Sequence, residues 1–354
     1  LRPRPRQAPA PALAKAPPPS AFPRAASDRP RFAAPSEVAS LHRKKTSRPH
    51  RDVTTDVAYA RGVVATSCRD GGLKLSSLGS DDGLTTTRSF AASPLALSCV
   101  ALDDDATLAV AGGWDNHVVA YRADTACLAA RFEAHDASIS GLALRGGALA
   151  TGAWDAVVKL WSLGSVASGE ETPLLELYDH EAPVCCVALN GSATLLAAGA
   201  EDGRLLVWDA RAGGQCRPIG AADVDGSASR PVAAVDVLTT DGGERVFAAA
   251  EHGVVAEFGL DGTRLAEARA GFDVRCLKVV DGRDGLTVFA GGSDGSLAAF
   301  AWASSAPVLK YRDGGAHDAP LSALEVAARG ADDAVLISAA DDCTVTTWGL
   351  GYQG

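Results

Sequence analysis

The chain has 354 residues, 47% hydrophobic and 21% charged, with a formal net charge of −10, which is the composition of a globular protein with a substantial core. No stretch approaches the ~20 apolar residues of a membrane-spanning helix, and no apolar signal-peptide core lies near the start. Residues 1–51 hold 12 Lys or Arg and two acidic residues, whereas the remainder holds 21 basic and 41 acidic residues. This acidic remainder argues against general nucleic-acid binding, which needs a basic surface.

Residues 1–36 contain 10 of the 18 prolines together with Ala and Arg, and they show no hydrophobic periodicity. This composition predicts a disordered N-terminal tail. It is also compatible with a linker from an upstream domain, an organelle transit peptide or an error in the gene prediction. Position 1 is Leu and the chain has no Met, so we expect a fragment or a processed product.

Seven turn residues recur along the rest of the chain at spacings of 40–50 residues. Six of them are Asp, whose carboxylate accepts backbone N–H bonds in turns, and six are followed six positions later by an aromatic residue. The turn residues are Asp70, Asp115, Asp155, Asp202, His252, Asp294 and Asp342. A period of this length is the signature of a repeat architecture.

The unit around Asp155 is the most complete of the seven. Residues 148–151 predict an apolar strand, and residues 157–161 predict an alternating strand after the turn. Trp161 ends the second strand with a large apolar body and one N–H donor. His135 lies 20 residues before Asp155 in a polar loop, so a full unit combines a His, a turn Asp and a strand-end Trp.

These units resemble the WD40 family. Trp208 and Asp209 form the Trp-Asp dipeptide, and four His lie 20–25 residues before their turn Asp, where the family has a Gly-His dipeptide, although no Gly precedes them. The four are His50, His135, His180 and His317. The resemblance covers about residues 38–350. It implies an all-β fold, a seven-bladed WD40 β-propeller with four antiparallel strands per blade.

The resemblance also implies a buried hydrogen-bond network of Asp, His, Ser or Thr, and Trp in each complete blade. Buried polar groups must satisfy one another, so these networks are expected to stabilise the fold. The expected members are His50, Thr66 and Asp70 in blade 1; His135, Thr151, Asp155 and Trp161 in blade 3; His180, Asp202 and Trp208 in blade 4; and His317, Ser338, Asp342 and Trp348 in blade 7. Blades 2 and 6 lack a His in the preceding loop, and blade 5 is degenerate, with His252 at its turn.

The segment 37–46 resembles the outer strand of a blade when it is compared with residues 127–132 before His135. The last repeat stops six residues after Trp348, which is too soon for an outer strand of its own. We therefore expect residues 37–46 to supply the fourth strand of the last blade and to close a propeller domain over residues 37–354. A basic solvated tail is the alternative.

Sequence patterns that suggest catalysis or metal binding are weak in this chain. Residues 291–295 match G-x-S-x-G, but a nucleophile elbow needs a helix after the turn, whereas residues 297–300 continue as a strand. The seven His and eight Cys show no zinc-ligand spacing. We therefore expect no catalytic residue, no cofactor and no metal. Most Cys lie in apolar runs, which indicates reduced thiols and a cytoplasmic location.

The residue just before each turn residue is expected to face the rim of the central channel. These residues are Arg69, Trp114, Trp154, Glu201, Glu251, Ser293 and Asp341. Trp114 and Trp154 fall on adjacent blades and form an amphipathic pair of the kind that dominates interfaces. Beside the acidic residues Glu201, Glu251 and Asp341, they predict a site for a protein segment with an apolar or Arg anchor and basic neighbours. In the alternative, both Trp rings fold onto their turns.

A narrower similarity relates residues 95–99, 105–107, 113–116 and 187–196 to the C-terminal propeller of BEACH–WD40 proteins of the neutral sphingomyelinase activation-associated factor type. It implies a non-catalytic scaffold in membrane traffic or signalling, peripheral at membranes through its partners, with a BEACH domain as the first expected partner. One alternative is a WD40 subunit of another complex, such as a ubiquitin-ligase substrate receptor or a chromatin assembly. A propeller hydrolase with Ser293 beside a His is the other.

Overall fold

The computed structural model describes residues 38–168, 171–211, 216–225, 230–282, 285–302, 307–329 and 334–352. The predicted disordered tail over residues 1–36 lies outside the described residues. Within the described ranges, nearly all regular structure is β-strand.

The strands in chain order are β1 (Val38–Ser47), β2 (Thr54–Ala60), β3 (Val63–Cys68), β4 (Gly72–Leu78), β5 (Leu84–Ala91), β6 (Leu97–Leu102), β7 (Leu108–Gly113), β8 (His117–Arg122), β9 (Leu128–Glu133), β10 (Ile139–Arg145), β11 (Ala148–Ala153), β12 (Val158–Ser162), β13 (Leu175–Leu177), β14 (Val184–Leu189), β15 (Leu195–Ala200), β16 (Arg204–Asp209), β17 (Pro218–Asp223), β18 (Val232–Thr240), β19 (Gly243–Ala250), β20 (Val254–Phe258), β21 (Arg264–Arg269), β22 (Val274–Gly282), β23 (Gly285–Gly292), β24 (Leu297–Trp302), β25 (Val308–Asp313), β26 (Leu321–Ala328), β27 (Ala334–Ala340) and β28 (Val345–Tyr352).

The strands form seven four-stranded antiparallel sheets, one per blade. Blade 1 is β2–β5, blade 2 is β6–β9, blade 3 is β10–β13, blade 4 is β14–β17, blade 5 is β18–β21, blade 6 is β22–β25, and blade 7 is β26–β28 with β1. The first strand of each blade contacts the first strands of both neighbouring blades, and β26 contacts β2. The ring is therefore closed, and the predicted seven-bladed all-β propeller is confirmed.

Blade 7 combines strands from opposite ends of the described chain. β1 pairs antiparallel with β28, from Val38 opposite Tyr352 to Ser47 opposite Val345. Leu41 is buried in the same apolar cluster as Trp348, and the Arg43 guanidinium lies 5.2 Å from the centre of the Trp348 ring. The outer strand of this blade is therefore held by side-chain packing as well as by the strand ladder.

The hydrophobic core lies between blades. The described residues form seven apolar clusters, each built from the facing sides of two adjacent blades. The second strands β7, β11 and β15 are buried along their full length and are rich in Ala and Gly, because both of their faces are covered. A Cβ on Gly152 would lie 2.6 Å from Val184 Cγ1 of the next blade, so close packing requires a glycine there.

Each first strand carries a bulge at the same position, where its pairing with the second strand shifts by one residue. The bulge residues are Thr55, Ser98, Ser140, Cys185, Ala233, Arg275 and Ser322. The Ser98 hydroxyl donates to the Ile139 carbonyl of the next blade, and Ser322 donates to the Thr54 carbonyl at 2.6 Å. The bulge thus directs a side chain across the boundary between blades.

One short helix, α1 (Leu163–Ser168), follows β12 and was not predicted from the sequence. Val166 is buried in the apolar cluster between blades 2 and 3. Among the described residues, no helix has the length and hydrophobicity to cross a membrane.

Candidate protein-interaction face

The residue before each turn residue occupies an equivalent place in all seven blades. Its backbone N–H donates to the carbonyl of a residue just before the first strand of the same blade, at 2.9–3.4 Å. The seven pairs are Arg69 with Val53, Trp114 with Ala96, Trp154 with Ser138, Glu201 with Pro183, Glu251 with Pro231, Ser293 with Asp273, and Asp341 with Pro320. We call the surface formed by these seven donor residues the turn face. The sequence expectation placed the same seven residues on one rim.

Trp114 and Trp154 project from the turn face on adjacent blades. Their side chains are 58% and 62% exposed, whereas rings folded onto the turns would be mostly covered. The other four tryptophans of the chain are buried: Trp161, Trp208, Trp302 and Trp348. An exposed Trp keeps a large apolar surface in water that a partner can cover.

Two further exposed side chains extend this apolar surface, and the sequence analysis missed both. Leu95, 51% exposed, comes directly before Ala96, the residue that binds the Trp114 backbone. Tyr178, 67% exposed, follows β13, and the last residue of β13 pairs with Val158 just after the blade 3 turn. We call Leu95, Trp114, Trp154 and Tyr178 the apolar sector. Spacing from the turn residue could not reveal Leu95 or Tyr178, because both lie in loops outside the strand–turn–strand unit.

The Tyr178 hydroxyl is fixed by an acidic neighbour. It donates to Glu176 Oε2 at 2.8 Å. That hydrogen bond is the main cause that raises the pKa of Tyr178, and the charges of Asp155 and Asp136 act in the same direction. Tyr178 therefore stays neutral and presents its ring next to the carboxylates of the blade 3 turn.

Acidic residues follow the apolar sector around the ring. Glu201 and Glu251 are exposed on blades 4 and 5. Burial raises the pKa of the Cys185 thiol to about 12, and the charges of Glu201 and Glu251 add to the effect, which places both carboxylates near one thiol. Asp341 on blade 7 is different, because Arg275 lies 3.4 Å from its carboxylate. Of the seven residues that define the turn face, the exposed acidic ones are therefore Glu201 and Glu251.

On the other side of the apolar sector, blade 1 presents Arg69, which is exposed. Ser293 on blade 6 is also exposed, and the turn after it leads into strand β24 instead of the helix that a nucleophile elbow requires. The His252 ring lies 3.6 Å from Asp273. The residues that define the turn face therefore run from Arg69 on blade 1 through Trp114 and Trp154 to Glu201 and Glu251 on blades 4 and 5.

Below the turn face, blade 3 contains a continuous buried hydrogen-bond network. His135 Nδ1 lies 2.9 Å from Asp155 Oδ2, and His135 Nε2 lies 2.8 Å from Thr151 Oγ1. Trp161 Nε1 donates to the same Thr151 hydroxyl at 3.0 Å. The network joins the loop before the blade, the turn and two strands.

Blade 7 repeats this arrangement. His317 Nδ1 lies 3.1 Å from Asp342 Oδ2, His317 Nε2 lies 2.7 Å from Ser338 Oγ, and Trp348 Nε1 donates to Ser338 Oγ at 2.8 Å. Burial is the main cause that lowers the pKa of both His135 and His317, although their Asp partners oppose it. The imidazoles are therefore neutral at physiological pH, as a structural network requires.

Blade 4 has the expected residues but different contacts. Neither ring nitrogen of His180 has a hydrogen-bond partner, and burial lowers its pKa to about 4. Trp208 Nε1 donates to Asp179 Oδ2 at 3.1 Å, whereas Asp202 binds the Arg204 backbone N–H. Ala198 stands where blade 3 has Thr151, so the hydroxyl that would join His to Trp is missing.

Blades 1 and 2 also differ from blade 3. In blade 1, His50 Nε2 lies 2.9 Å from Thr66 Oγ1, but Asp70 caps its own turn through the Gly72 N–H at 2.8 Å. In blade 2, which has no His in the preceding loop, Arg131 and Ser93 each donate to Asp115 Oδ2 at 2.9 Å. The turn Asp is thus satisfied by whichever donor the adjacent loop or outer strand offers.

Seven four-stranded blades, each with an equivalent turn, define a β-propeller built from sequence repeats. Residues 126–162 and 171–209 match the family model described as WD domain, G-beta repeat. Each matched segment starts before the outer strand of one blade and ends with the third strand of the next, so the sequence repeat is offset from the blade by one strand. The chain therefore carries WD40 repeats on a seven-bladed propeller, and these findings support the WD40 family.

Proposed function

We propose that this propeller is a non-catalytic scaffold that binds a protein partner through the apolar sector of its turn face. The observation that supports this most strongly is the exposure of Trp114 and Trp154 at equivalent positions of adjacent blades. Exposed aromatic side chains at the centre of a contact supply most of its binding energy. WD40 propellers are commonly protein-interaction scaffolds.

The charges around the apolar sector suggest the chemistry of the partner. Glu201 and Glu251 follow the two Trp, and residues 52–354 hold 21 basic and 41 acidic residues. A segment with an aliphatic, aromatic or Arg anchor between the Trp rings and basic residues toward blades 4 and 5 would match this surface. Attraction between the two would mainly increase the association rate and would weaken with salt.

Intrinsic fluorescence gives a direct test. Peptides are selected from a random display library on the immobilised full chain, and synthetic copies are titrated into the free protein. Of the six tryptophans, only Trp114 and Trp154 are exposed, so occupation of the apolar sector should shift the emission to shorter wavelength and protect it from acrylamide. Enriched peptides should carry an anchor residue with basic neighbours.

The double variant Trp114→Ala/Trp154→Ala should weaken peptide binding by at least about 30-fold, which corresponds to one hot spot of about 2 kcal/mol. Leu265→Ala/Leu309→Ala is the matched control, because these side chains are also exposed but lie on the outer strands of blades 5 and 6. Equal binding by both variants would contradict the proposal. A lowered melting temperature of the Trp variant alone would instead favour a packing role for the rings.

The narrower prediction, a BEACH-type adaptor of membrane traffic or signalling, remains a prediction. The two matched segments identify WD40 repeats and do not distinguish this type from a subunit of a ubiquitin ligase or a chromatin assembly. Titration of an isolated BEACH domain into the full chain would test it, with the Trp double variant as the control. The eight cysteines are all unpaired, which supports a reducing location such as the cytoplasm.

A further inference from the structure

Blade 1 brings a His, a Cys and an Asp close together, and among the described residues no other blade has such a group of potential metal ligands. One ligand atom of each of His50, Cys68 and Asp70 lies within 4.8 Å of the other two. His50 is in the loop before β2, Cys68 ends β3, and Asp70 is the turn residue. His50 and Cys68 are 2% and 0% exposed, whereas Asp70 is exposed, so the cluster opens at the turn face.

The His50 ring has one free nitrogen. Nε2 lies 2.9 Å from Thr66 Oγ1, but the fully buried Nδ1 has no hydrogen-bond partner. In blades 3 and 7 the same nitrogen is bound by the turn Asp at 2.9 and 3.1 Å. An unpaired buried ring nitrogen costs free energy unless something binds it.

Gly72 leaves space in front of this nitrogen. A Cβ on Gly72 would lie 2.8 Å from Asp70 Oδ1 and 3.7 Å from His50 Nδ1, so both atoms face the same small volume. Each of the other six blades has a side chain two residues after its turn residue: His117, Val157, Arg204, Val254, Ser296 and Thr344. In blade 7 that side chain, Thr344, lies 3.1 Å from His317 Nδ1.

Cys68 is the third departure of blade 1 from the repeat. Two residues before the turn residue, the other blades have only Ala or Gly: Gly113, Ala153, Ala200, Ala250, Gly292 and Ala340. A thiol, an unpaired imidazole nitrogen and a carboxylate therefore lie together in blade 1. The other blades have Ala or Gly in place of Cys68 and a side chain in place of Gly72, and blades 3 and 7 have a His–Asp hydrogen bond.

We propose that His50 Nδ1, Cys68 Sγ and a carboxylate oxygen of Asp70 bind one Zn²⁺ ion, with water as the fourth ligand. Nitrogen, sulfur and oxygen donors in a three-residue set with one open position are typical of zinc. The donor atoms of a tetrahedral zinc site lie roughly 3.3–3.8 Å apart, given metal–ligand bonds of about 2.0–2.3 Å. Since the three ligand atoms lie within 4.8 Å of one another, metal binding needs them to approach by at most about 1.5 Å, and the exposed Asp70 side chain is the freest of the three to move.

The charges and protons of the site balance. The thiolate and the carboxylate together neutralise the dication, and the thiol proton is released to solvent when the metal binds. The Lys74 ammonium donates to the Pro49 carbonyl at 2.5 Å and is close enough for its charge to act on His50 and Asp70. Thr66 acts as the outer partner that orients the imidazole through Nε2.

In blade 1 the ion would replace the His–Asp hydrogen bond that links loop and turn in blades 3 and 7. Blade 1 has Ser76 in place of the strand-end Trp, and its His and turn Asp are not hydrogen-bonded to each other in the way seen in blade 3. A metal bound to His50, Cys68 and Asp70 joins the loop, the second strand and the turn through bonds that do not depend on Trp. The site does not depend on the partner-binding proposal.

Cobalt spectroscopy on the full chain tests the site. The protein is freed of metal with a chelator, kept reduced without thiol reagents, and titrated with Co²⁺. One Co²⁺ per chain should give tetrahedral absorption bands and a thiolate-to-cobalt charge-transfer band, and Zn²⁺ should displace both. Cys68→Ala should abolish the charge-transfer band, Asp70→Asn should weaken binding at least tenfold, and Thr66→Val should weaken it by about 10–100-fold while keeping the band.

The controls separate this site from adventitious binding and from unfolding. Cys127→Ala removes an exposed thiol, and Asp155→Asn alters the equivalent carboxylate of blade 3, so both should bind Co²⁺ as wild type does. Cys68→Ala should melt like the metal-free wild type, since Ala fills this position in blades 3, 4, 5 and 7. Zn²⁺ should raise the melting temperature of the wild type and of these two controls, but not that of Cys68→Ala. Absence of stoichiometric binding, or binding that survives Cys68→Ala and Asp70→Asn, would overturn the proposal.

Discussion

The hydrogen-bond network of blade 3 predicts that Asp155→Ala destabilises the protein, and the equivalent change in blade 4, Asp202→Ala, is the control. Asp155 accepts hydrogen bonds from His135 Nδ1 at 2.9 Å, from the Asp136 N–H at 3.1 Å and from the Val157 N–H at 3.0 Å. In Asp155→Ala all three donors lose their acceptor. The His135 side chain is 0% exposed, so water cannot replace the acceptor there without opening the blade.

The magnitude follows from these contacts. An orphaned buried donor costs about 1–3 kcal/mol, and each of the two backbone bonds at the accessible turn contributes about 0.5 kcal/mol after water replaces the acceptor. We expect Asp155→Ala to lower the free energy of unfolding by about 2–4 kcal/mol. Asp202→Ala should cost only about 0.5–1.5 kcal/mol, because Asp202 accepts from the Arg204 N–H and His180 is not hydrogen-bonded.

Urea unfolding followed by far-UV circular dichroism measures both variants against the wild type. The comparison is between midpoints at an unchanged denaturant slope, so that a change in cooperativity is not mistaken for a change in stability. A double variant Asp155→Ala/Thr151→Val should show non-additivity, since both residues bind the same imidazole. If Asp202→Ala destabilised the protein as much as Asp155→Ala, the network would not be the cause.

Three further predictions concern ring closure and pH. Deleting residues 1–47 removes β1 and should lower the urea midpoint sharply, whereas deleting residues 1–35 should leave it unchanged; equal midpoints would contradict a closing role for β1. Burial lowers the pKa of His180 from 6.5 to about 4, so the unfolded chain gains a proton first and stability is lost as the pH falls through this window. His180→Gln should reduce that loss, and the unfolding free energies of the variant and the wild type across the window check it. Burial raises the pKa of Asp56 from 3.8 to about 7, so the stability that its protonated form contributes is lost as the pH rises between these values. Asp56→Asn should therefore become more stable relative to the wild type over that interval. A constant difference in unfolding free energy would refute this.

Much of the fold could be predicted because the repeat is a local pattern. A turn Asp between two short apolar strands, such as Asp155 between β11 and β12, depends only on residues close in sequence. Seven such turns at similar spacing also fix which residues share one face. Trp114 and Trp154 could therefore be assigned to the turn face without coordinates.

The contacts of the site could not be predicted in the same way. His180 has the correct spacing from Asp202, but its hydrogen bonds depend on the residue opposite it, and Ala198 offers no hydroxyl. Trp208 Nε1 instead donates a hydrogen bond to Asp179, and this contact depends on the geometry of the loop that contains Asp179. The cluster of His50, Cys68 and Asp70 has no metal-binding spacing in sequence, because its members come together only when the loop folds over the turn.

The pairing of β1 with β28 fixes where the two ends of the propeller leave the ring. Ser47 and Val345 lie at the end of blade 7 next to the turn face, whereas Val38 and Tyr352 pair at the other end of the same two strands. A protein fused upstream of Val38 or downstream of Tyr352 therefore attaches at the face of the propeller opposite the turn face. Either end can be used to tether the ring to a support or to a second protein while Trp114 and Trp154 remain uncovered. A short peptide that joins Tyr352 to Val38 would permit circular permutation.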